Sequence, residues 1–126
     1  MSKVLVVEDH TANRKLVCDL LRRAGHEVLE ANNADEGIPM ARQERPDLVV
    51  MDIQMPGTDG LTATRLLKAD AMTSSIPVLV LTAHAMAGDE QRFKEGGCDA
   101  YLPKPLRYRA FLEMVERLLE TGQTFE

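Results

Sequence analysis

Leu48-Val49-Val50-Met51-Asp52 decides the fold, because four apolar residues in a row end directly in an acid. A continuous apolar run of this length is typical of a parallel strand that is buried on both faces of its sheet. Val4-Leu5-Val6-Val7, which precedes Glu8-Asp9, and Val78-Leu79-Val80-Leu81, which precedes Thr82, have the same character. We therefore predict three central strands, each followed by polar residues.

Amphipathic segments and two shorter strands, at residues 26–30 and 100–102, lie between and after these runs. Gly25 ends a first predicted helix, whose apolar stripe is Leu16, Val17, Leu20, Leu21 and Ala24. The other helices are predicted over 34–44, 60–69 and 87–95, and in a last segment with the apolar face Phe111, Leu112, Val115, Leu118 and Leu119. Pro39 should make the first half of the second helix irregular or kinked. Alternation of strands and helices predicts a doubly wound parallel α/β sheet in one domain.

Composition excludes several classes of function. The 126 residues fit one domain, and 15 basic against 20 acidic residues give a net charge of −5, which disfavours direct binding to nucleic acid. No apolar run approaches the roughly 20 residues that span a bilayer, and the N-terminus has no signal-peptide pattern, so we expect neither membrane insertion nor secretion. Cys18 and Cys98 lack metal-type spacing and are predicted to be free thiols in a reducing cytoplasm.

Polar residues follow the strands at the edge where ligands bind in such sheets. Glu8-Asp9 follow the first strand, Asp52 the third, Thr82 the fourth and Lys104 the fifth. Two carboxylates about 5 Å apart repel by roughly 3 kcal/mol at an effective dielectric near 20, so three require a cation or a proton. Oxygen ligands favour hard cations, and the pattern therefore predicts a Mg²⁺ site.

Local structural roles are an alternative for each polar residue taken alone. Asp9 could cap the first helix, Asp52 could begin a turn, and Thr82 could be a buried hydroxyl at a strand end. These roles do not explain why acids follow two particular strands while a lysine follows a third. His10 could be a transition-metal ligand, but no second nitrogen or sulfur ligand has suitable spacing, so we interpret it as a solvent-facing loop residue.

Four stretches in a fixed order carry a resemblance to a known family: 4–9, 51–60, 80–83 and 101–105. Together they resemble the receiver domains of two-component response regulators, particularly the single-domain, chemotaxis-type members. The resemblance implies a flavodoxin-like fold with strand order 2-1-3-4-5. It also implies a receiver domain over residues 1–121, followed by a short tail at 122–126 and no output domain.

The resemblance assigns roles to the clustered residues. Asp52 is similar to the phosphoacceptor, which takes a phosphoryl group from a phosphohistidine. Mg²⁺ would be held by the side chains of Asp9 and Asp52, by Glu8 through water and by the backbone carbonyl of Gln54. Lys104 and Thr82 would hold the phosphoryl oxygens, and a cis Lys104-Pro105 bond would aim the ammonium group into the pocket.

Regulation and partners follow from the same resemblance. Thr82 and Tyr101 match the family's switch pair, and Gln54 and His84 match positions that set the rate of autodephosphorylation. The implied function is a phosphorylation-dependent switch rather than an enzyme, with a sensor histidine kinase or histidine phosphotransfer protein as donor and a downstream protein as target. In the family the donor docks on the first helix and on the loop after the fifth strand. Cys18, predicted opposite the apolar stripe, is a candidate for that surface.

Three rival interpretations remain. A haloacid-dehalogenase-type phosphatase also forms an aspartyl phosphate, but it carries Asp-x-Asp after its first strand, whereas this site reads Asp52-Ile53-Gln54 after the third. A flavodoxin-like cofactor binder would need a phosphate loop where Glu8-Asp9-His10 stand. A degenerate receiver acting as a phosphorylation-independent scaffold would not require the complete acidic pocket.

Overall fold

Five strands and five helices alternate in the computed structural model, which describes residues 2–55, 57–83 and 89–121. The strands are β1 (Lys3–Val7), β2 (Glu27–Ala31), β3 (Leu48–Asp52), β4 (Val78–Thr82) and β5 (Ala100–Pro103). The helices are α1 (Thr11–Arg23), α2 (Ala34–Glu44), α3 (Gly60–Ala69), α4 (Asp89–Glu95) and α5 (Tyr108–Thr121). No described helix combines the length and the apolar character needed to cross a membrane.

All five strands are parallel and form one sheet in the order β2-β1-β3-β4-β5, which confirms the predicted topology. The chain moves from β1 outward to β2 and then returns to β3 on the other side of β1. The strand order therefore reverses between β1 and β3, where the carboxyl ends of two neighbouring strands leave a crevice. The register pairs Val7 with Met51, so the residues that follow these strands begin side by side.

Two apolar layers cover the sheet, one on each face. Alternate strand residues such as Leu5 and Val49 pack under α2, α3 and α4, while their neighbours Val4 and Val50 pack under α1 and α5. The central strands β3 and β4 are buried along their whole length, as their continuous apolar runs predict.

The buried face of α1 is rotated relative to the prediction. Val17, Cys18 and Leu21 are buried, whereas Leu16 is 38% exposed and Ala24 is also exposed. Cys18 packs in the core with strand residues of the same layer, so its predicted place on a docking surface is wrong. Residues 14, 17, 18 and 21 follow the helical spacing i, i+3, i+4, i+7, and the cysteine is small and apolar enough to belong to that stripe.

Helix α2 runs without interruption through Pro39, so the prediction that its first half is irregular is wrong, while a kink at Pro39 stays a prediction. Asn33 caps the helix by accepting a hydrogen bond from the Glu36 backbone N–H at 2.9 Å. Gly37 lies so close to β1 that an added Cβ would come 2.8 Å from Val7 Cγ2. Tight packing on the sheet therefore holds the segment helical although Pro39 removes one hydrogen bond.

Both cysteines are free and buried, so their thiols ionise less readily than exposed thiols do. Burial, reinforced by the negative charge of Glu30, raises the pKa of Cys18 to about 11. Burial, reinforced by Asp99, raises the pKa of Cys98 to about 12. We expect thiol-specific reagents at pH 8 to modify the folded protein at least about 100-fold more slowly than the unfolded chain, because the thiolate fraction falls tenfold per pKa unit. Rapid modification of the folded protein at pH 8 would contradict this burial.

Candidate functional site

Three acids meet at the crevice between β1 and β3. Glu8 and Asp9 directly follow β1, and Asp52 is the last residue of β3. One carboxylate oxygen from each of the three lies within 4.8 Å of the others. Glu8 and Asp52 are each only 3% exposed, whereas Asp9 is exposed to solvent. The cluster predicted from the sequence therefore exists, with two buried members and one at its rim.

Lys104 supplies the positive charge of the site. Its Nζ lies 2.8 Å from Asp52 Oδ1 and 3.6 Å from Glu8 Oε2. Its backbone N–H donates to the Thr82 carbonyl oxygen at 2.7 Å, which holds the loop after β5 against the end of β4. Burial alone would lower the pKa of Lys104, but the hydrogen bond to Asp52 and the charge of Glu8 raise it, so the ammonium form persists. The Lys104-Pro105 bond is cis, as predicted.

The charges of the site do not balance without a bound proton or a further cation. Burial raises the pKa of Glu8 to about 7, repulsion from Asp52 adds to this effect, and Lys104 partly opposes it. One ammonium group beside three carboxyl groups leaves a net negative site that draws either a proton or a cation. An all-oxygen donor set with an exposed rim fits a hard divalent ion such as Mg²⁺, which keeps several waters.

Thr82 and Gln54 line a cavity of about 450 Å³ together with Ile53 and Arg92. Thr82 is 1% exposed at the end of β4. Tyr101 lies on β5, with its ring centroid 4.8 Å from that of Phe93 on α4. The structure thus places the two predicted switch residues on neighbouring strands, whereas His84 lies outside the described residues.

His10 has a structural role that the sequence analysis missed. Its backbone is extended, and its Nδ1 accepts a hydrogen bond from the Asn13 backbone N–H at 3.4 Å. Its own backbone N–H donates to Glu8 Oε1 at 3.2 Å. The residue that caps α1 is therefore His10 rather than Asp9, which leaves the Asp9 carboxylate available to the site.

Gly60 is a second positioning residue that the sequence analysis did not single out. Its backbone N–H donates to the Ile53 carbonyl oxygen at 2.9 Å and closes the loop after β3. A Cβ at this position would overlap the Asp52 carbonyl oxygen and come 2.8 Å from Ile53 Cα. Gly60 directly follows Asp59, the N-cap residue of α3, and glycine has a low helix propensity. A glycine at the first position of a helix therefore indicates a packing requirement, and this was the signal that the sequence offered.

The Gly60→Ala variant should lose about 2–4 kcal/mol of unfolding free energy, because backbone must move to admit the methyl group. The displaced backbone belongs to Asp52 and Ile53, so cation affinity should fall as well. Urea unfolding and Mg²⁺ titration measure the two effects. Gly57→Ala serves as a comparison. Gly57 has a φ of 78°, but its added methyl group would meet no atom within 4 Å. The cost of that substitution is therefore only the strain of the left-handed backbone conformation.

The site joins a buried aspartate, the lysine that contacts it and two further acids at the carboxyl edge of a doubly wound parallel sheet. This arrangement is that of a phosphoacceptor switch of the receiver class. The chain belongs to the response regulator receiver domain family, whose sequence model matches residues 4–116. It is 44% identical to the polar-differentiation response regulator DivK of Brucella anthropi, over 92% of this chain and 94% of that protein. The corresponding Brucella ovis protein is 42% identical over the same shares.

Solved structures show the same fold. The chemotaxis response regulator CheY4 of Vibrio cholerae superposes with a TM-score of 0.88 at 29% identity, over 94% of this chain and 98% of that one. The receiver domain of the Pseudomonas aeruginosa sensor histidine kinase PA1611, solved with a magnesium ion in its active-site cleft, gives 0.88 at 28% identity, over 95% and 98%.

Family membership fixes the general function of the chain. It is a response regulator receiver domain with a phosphoacceptor role in two-component signalling, and not a conventional enzyme. Receiver domains bind Mg²⁺ at an acidic pocket and interact with histidine kinases and downstream targets. In this chain Glu8, Asp9 and Asp52 form an acidic cluster that fits this description.

Proposed function

We propose that Asp52 accepts a phosphoryl group from a phosphohistidine in a Mg²⁺-dependent reaction, and that the modified chain signals through protein–protein contacts or passes the group onward. The observation that carries this proposal is the position of the Asp52 carboxylate. Its Oδ1 lies 2.8 Å from the Lys104 ammonium, and one of its oxygens lies within 4.8 Å of an oxygen from Glu8 and one from Asp9.

The metal would be held by the side chains of Glu8, Asp9 and Asp52 and by the Gln54 backbone carbonyl, with Glu8 acting through water. Bound Mg²⁺ would neutralise charge on the acids and on the incoming phosphoryl oxygens. The proximity of the three carboxylate groups and the buried positions of Glu8 and Asp52 support the acidic part of this donor set.

During transfer, one Asp52 carboxylate oxygen forms a bond to phosphorus while the bond from phosphorus to the donor's imidazole nitrogen breaks. The electron pair of that bond stays on the imidazole nitrogen, and the product is an aspartyl phosphate. The Lys104 ammonium stabilises the negative charge on the phosphoryl oxygens, and the Thr82 hydroxyl is the second group that holds them. Catalysis by the chain is mainly positioning and electrostatics.

Release and signalling use the residues around the cavity beside Thr82. Water attacks phosphorus, the bond from phosphorus to the Asp52 oxygen breaks, inorganic phosphate leaves and Asp52 returns to its carboxylate form. Gln54 and His84 set the rate of this autodephosphorylation. Movement of Thr82 toward the phosphoryl group would open space for the Tyr101 ring to rotate inward. The resulting change in the surface of α4, β5 and α5 is a population shift between two states.

The donor's docking surface is proposed beside the acidic pocket. A groove of about 470 Å³ runs from Glu8 and Lys104 between α1 and the start of α5. Leu16 and Tyr108, which line it, are 38% and 54% exposed. The proposed partner is a sensor histidine kinase or a histidine phosphotransfer protein in the cytoplasm. The proposed receiver unit covers residues 1–121, and residues 122–126 are proposed to be a short tail.

Incubation with a small phosphodonor such as acetyl phosphate, with and without Mg²⁺, tests the proposal. The intact mass should rise by about 80 Da in the presence of the ion, and the adduct should decay slowly. No adduct with Mg²⁺ present would contradict the proposal. Rapid multiple turnover of phosphate esters would instead favour the phosphatase interpretation.

A further inference from the structure

Arg14 connects helix α1 to the loop that carries the acids. Its Nη1 donates to the Glu8 backbone carbonyl oxygen at 2.9 Å, and its Nε donates to Glu30 Oε1 on β2 at 3.2 Å. Arg14 occupies the buried stripe of α1 together with Val17, Cys18 and Leu21, and its side chain is only 15% exposed. A guanidinium group that is this deeply buried needs hydrogen-bond partners. Its N–H groups lie in one plane and point in different directions, so Arg14 binds the Glu8 carbonyl and Glu30 at the same time.

The carbonyl that Arg14 holds belongs to the peptide group between Glu8 and Asp9. The N–H of Glu8 donates to the Ala31 carbonyl oxygen at 3.1 Å, so the Glu8 backbone is bound by β2 on one side and by Arg14 on the other. The orientation of this peptide plane determines where the Asp9 side chain begins. Among the described residues the side-chain hydrogen bonds of this loop involve the Glu8 carboxylate and the Glu8 carbonyl, and none reaches the Asp9 carboxylate, so its position depends on the backbone.

Glu30 fixes the other end of the arrangement. Its second carboxylate oxygen, Oε2, accepts from Arg22 Nη2 at 3.0 Å. The hydrogen bonds from Arg22 and Arg14 hold the pKa of Glu30 below its usual range, so Glu30 remains an anion at neutral pH. Arg22 is 48% exposed and shares this anion with Arg14, but it makes no hydrogen bond to the Glu8 carbonyl within the described part of the chain.

We propose that Arg14 is a positioning residue for cation binding: by clamping the Glu8 carbonyl to Glu30, it fixes the Glu8–Asp9 peptide plane so that Asp9 faces Glu8 and Asp52. Arg14 touches none of the reacting atoms. The inference rests on the proposed function in one respect, namely that the acidic pocket binds Mg²⁺. It extends that function by assigning a supporting residue outside the pocket.

The matched substitutions Arg14→Lys and Arg22→Lys test the clamp, because both keep the charge and both remove a guanidinium bound to Glu30. A lysine at position 14 cannot span Glu8 and Glu30 with one fork. We expect Arg14→Lys to raise the Mg²⁺ dissociation constant by about tenfold, as loss of an outer-shell partner typically does. Arg22→Lys should leave it within about twofold, since exposed ion pairs contribute little. Calorimetric titration with MgCl₂ measures both.

A second measurement requires no metal. The Asp9 backbone amide belongs to the same peptide group as the Glu8 carbonyl, so its ¹⁵N chemical shift in the metal-free protein reports the Arg14 hydrogen bond. The Asp9 ¹⁵N chemical shift should differ from the wild-type value in Arg14→Lys and equal it in Arg22→Lys. Unchanged Mg²⁺ affinity in Arg14→Lys, an equal loss in Arg22→Lys, or an unmoved Asp9 resonance would overturn the proposal. If the wild-type protein binds no Mg²⁺, the proposed function fails instead, and the Asp9 resonance alone decides the clamp.

Discussion

Asp52→Asn should abolish phosphoryl acceptance, with a loss of at least about 1,000-fold in the labelling rate, because the amide oxygen is a far weaker nucleophile than a carboxylate. The variant should still fold. Asparagine has nearly the same shape, its Oδ1 can accept the hydrogen bond that Lys104 Nζ now donates at 2.8 Å, and one of three neighbouring negative charges disappears. Labelling by acetyl phosphate with Mg²⁺, read as intact mass, measures the loss, and thermal unfolding checks the fold.

Asp59→Asn is the control for this substitution. Asp59 lies near the same loop but caps α3, where its Oδ1 accepts from the Thr62 backbone N–H at 2.9 Å. Asparagine is an equally good cap, and Asp59 is not among the clustered acids, so labelling should persist. An Asp52→Asn protein that is labelled at the wild-type rate would place the acceptor elsewhere.

Lys104→Met is expected to give the second largest effect. Removal of the ammonium leaves the Asp52 and Glu8 carboxylates without their shared cation, at 2.8 and 3.6 Å in the wild-type protein. It also removes a charged donor from the phosphoryl oxygens in the transition state, and loss of one such donor typically slows a reaction about 100- to 1,000-fold. Single-turnover labelling at saturating Mg²⁺ separates this effect from weakened cation binding.

Lys15→Met provides the comparison for Lys104→Met, because it makes the same change in net charge at an exposed position of α1. Its labelling rate with a small phosphodonor should match that of the wild type. If Lys104→Met is labelled as fast as Lys15→Met, the ammonium group has no part in stabilising the transferred group, and its ion pair with Asp52 is only structural.

The strands and the acidic cluster could be predicted from the sequence because both depend on local runs. Leu48 to Met51 are apolar without interruption, as a strand buried on both faces requires, and the acid that follows must then lie at the carboxyl edge. The carboxyl ends of parallel strands lie at one edge of the sheet, so such residues come together whatever the conformation of the connecting loops. The bounds of α2 and α3 agree with the prediction for a related reason, since each helix begins directly after a residue that favours the N-cap, Asn33 or Asp59.

The parts that could not be predicted depend on packing between distant segments. The rotation of α1, which buries Cys18, is set by the strand residues beneath the helix and not by the helix pattern alone. The continuity of α2 through Pro39 depends on how closely Gly37 meets Val7. Arg14 bonds directly to the Glu8 carbonyl and also to Glu30, which lies 16 residues further along the chain. No spacing rule in one sequence reveals these contacts.

Three acids at one edge of the sheet allow one of them, Asp52, to bond to phosphorus when a divalent ion is present; this is the central claim. Locating the phosphoryl group tests it most directly: the wild-type protein is labelled by acetyl phosphate, the acyl phosphate is reduced by borohydride to the alcohol, and peptides are mapped by mass spectrometry. We predict a single modified residue at position 52 with Mg²⁺ and none when the ion is chelated. Modification at another residue, or equal modification of Asp52 without the ion, would contradict the claim.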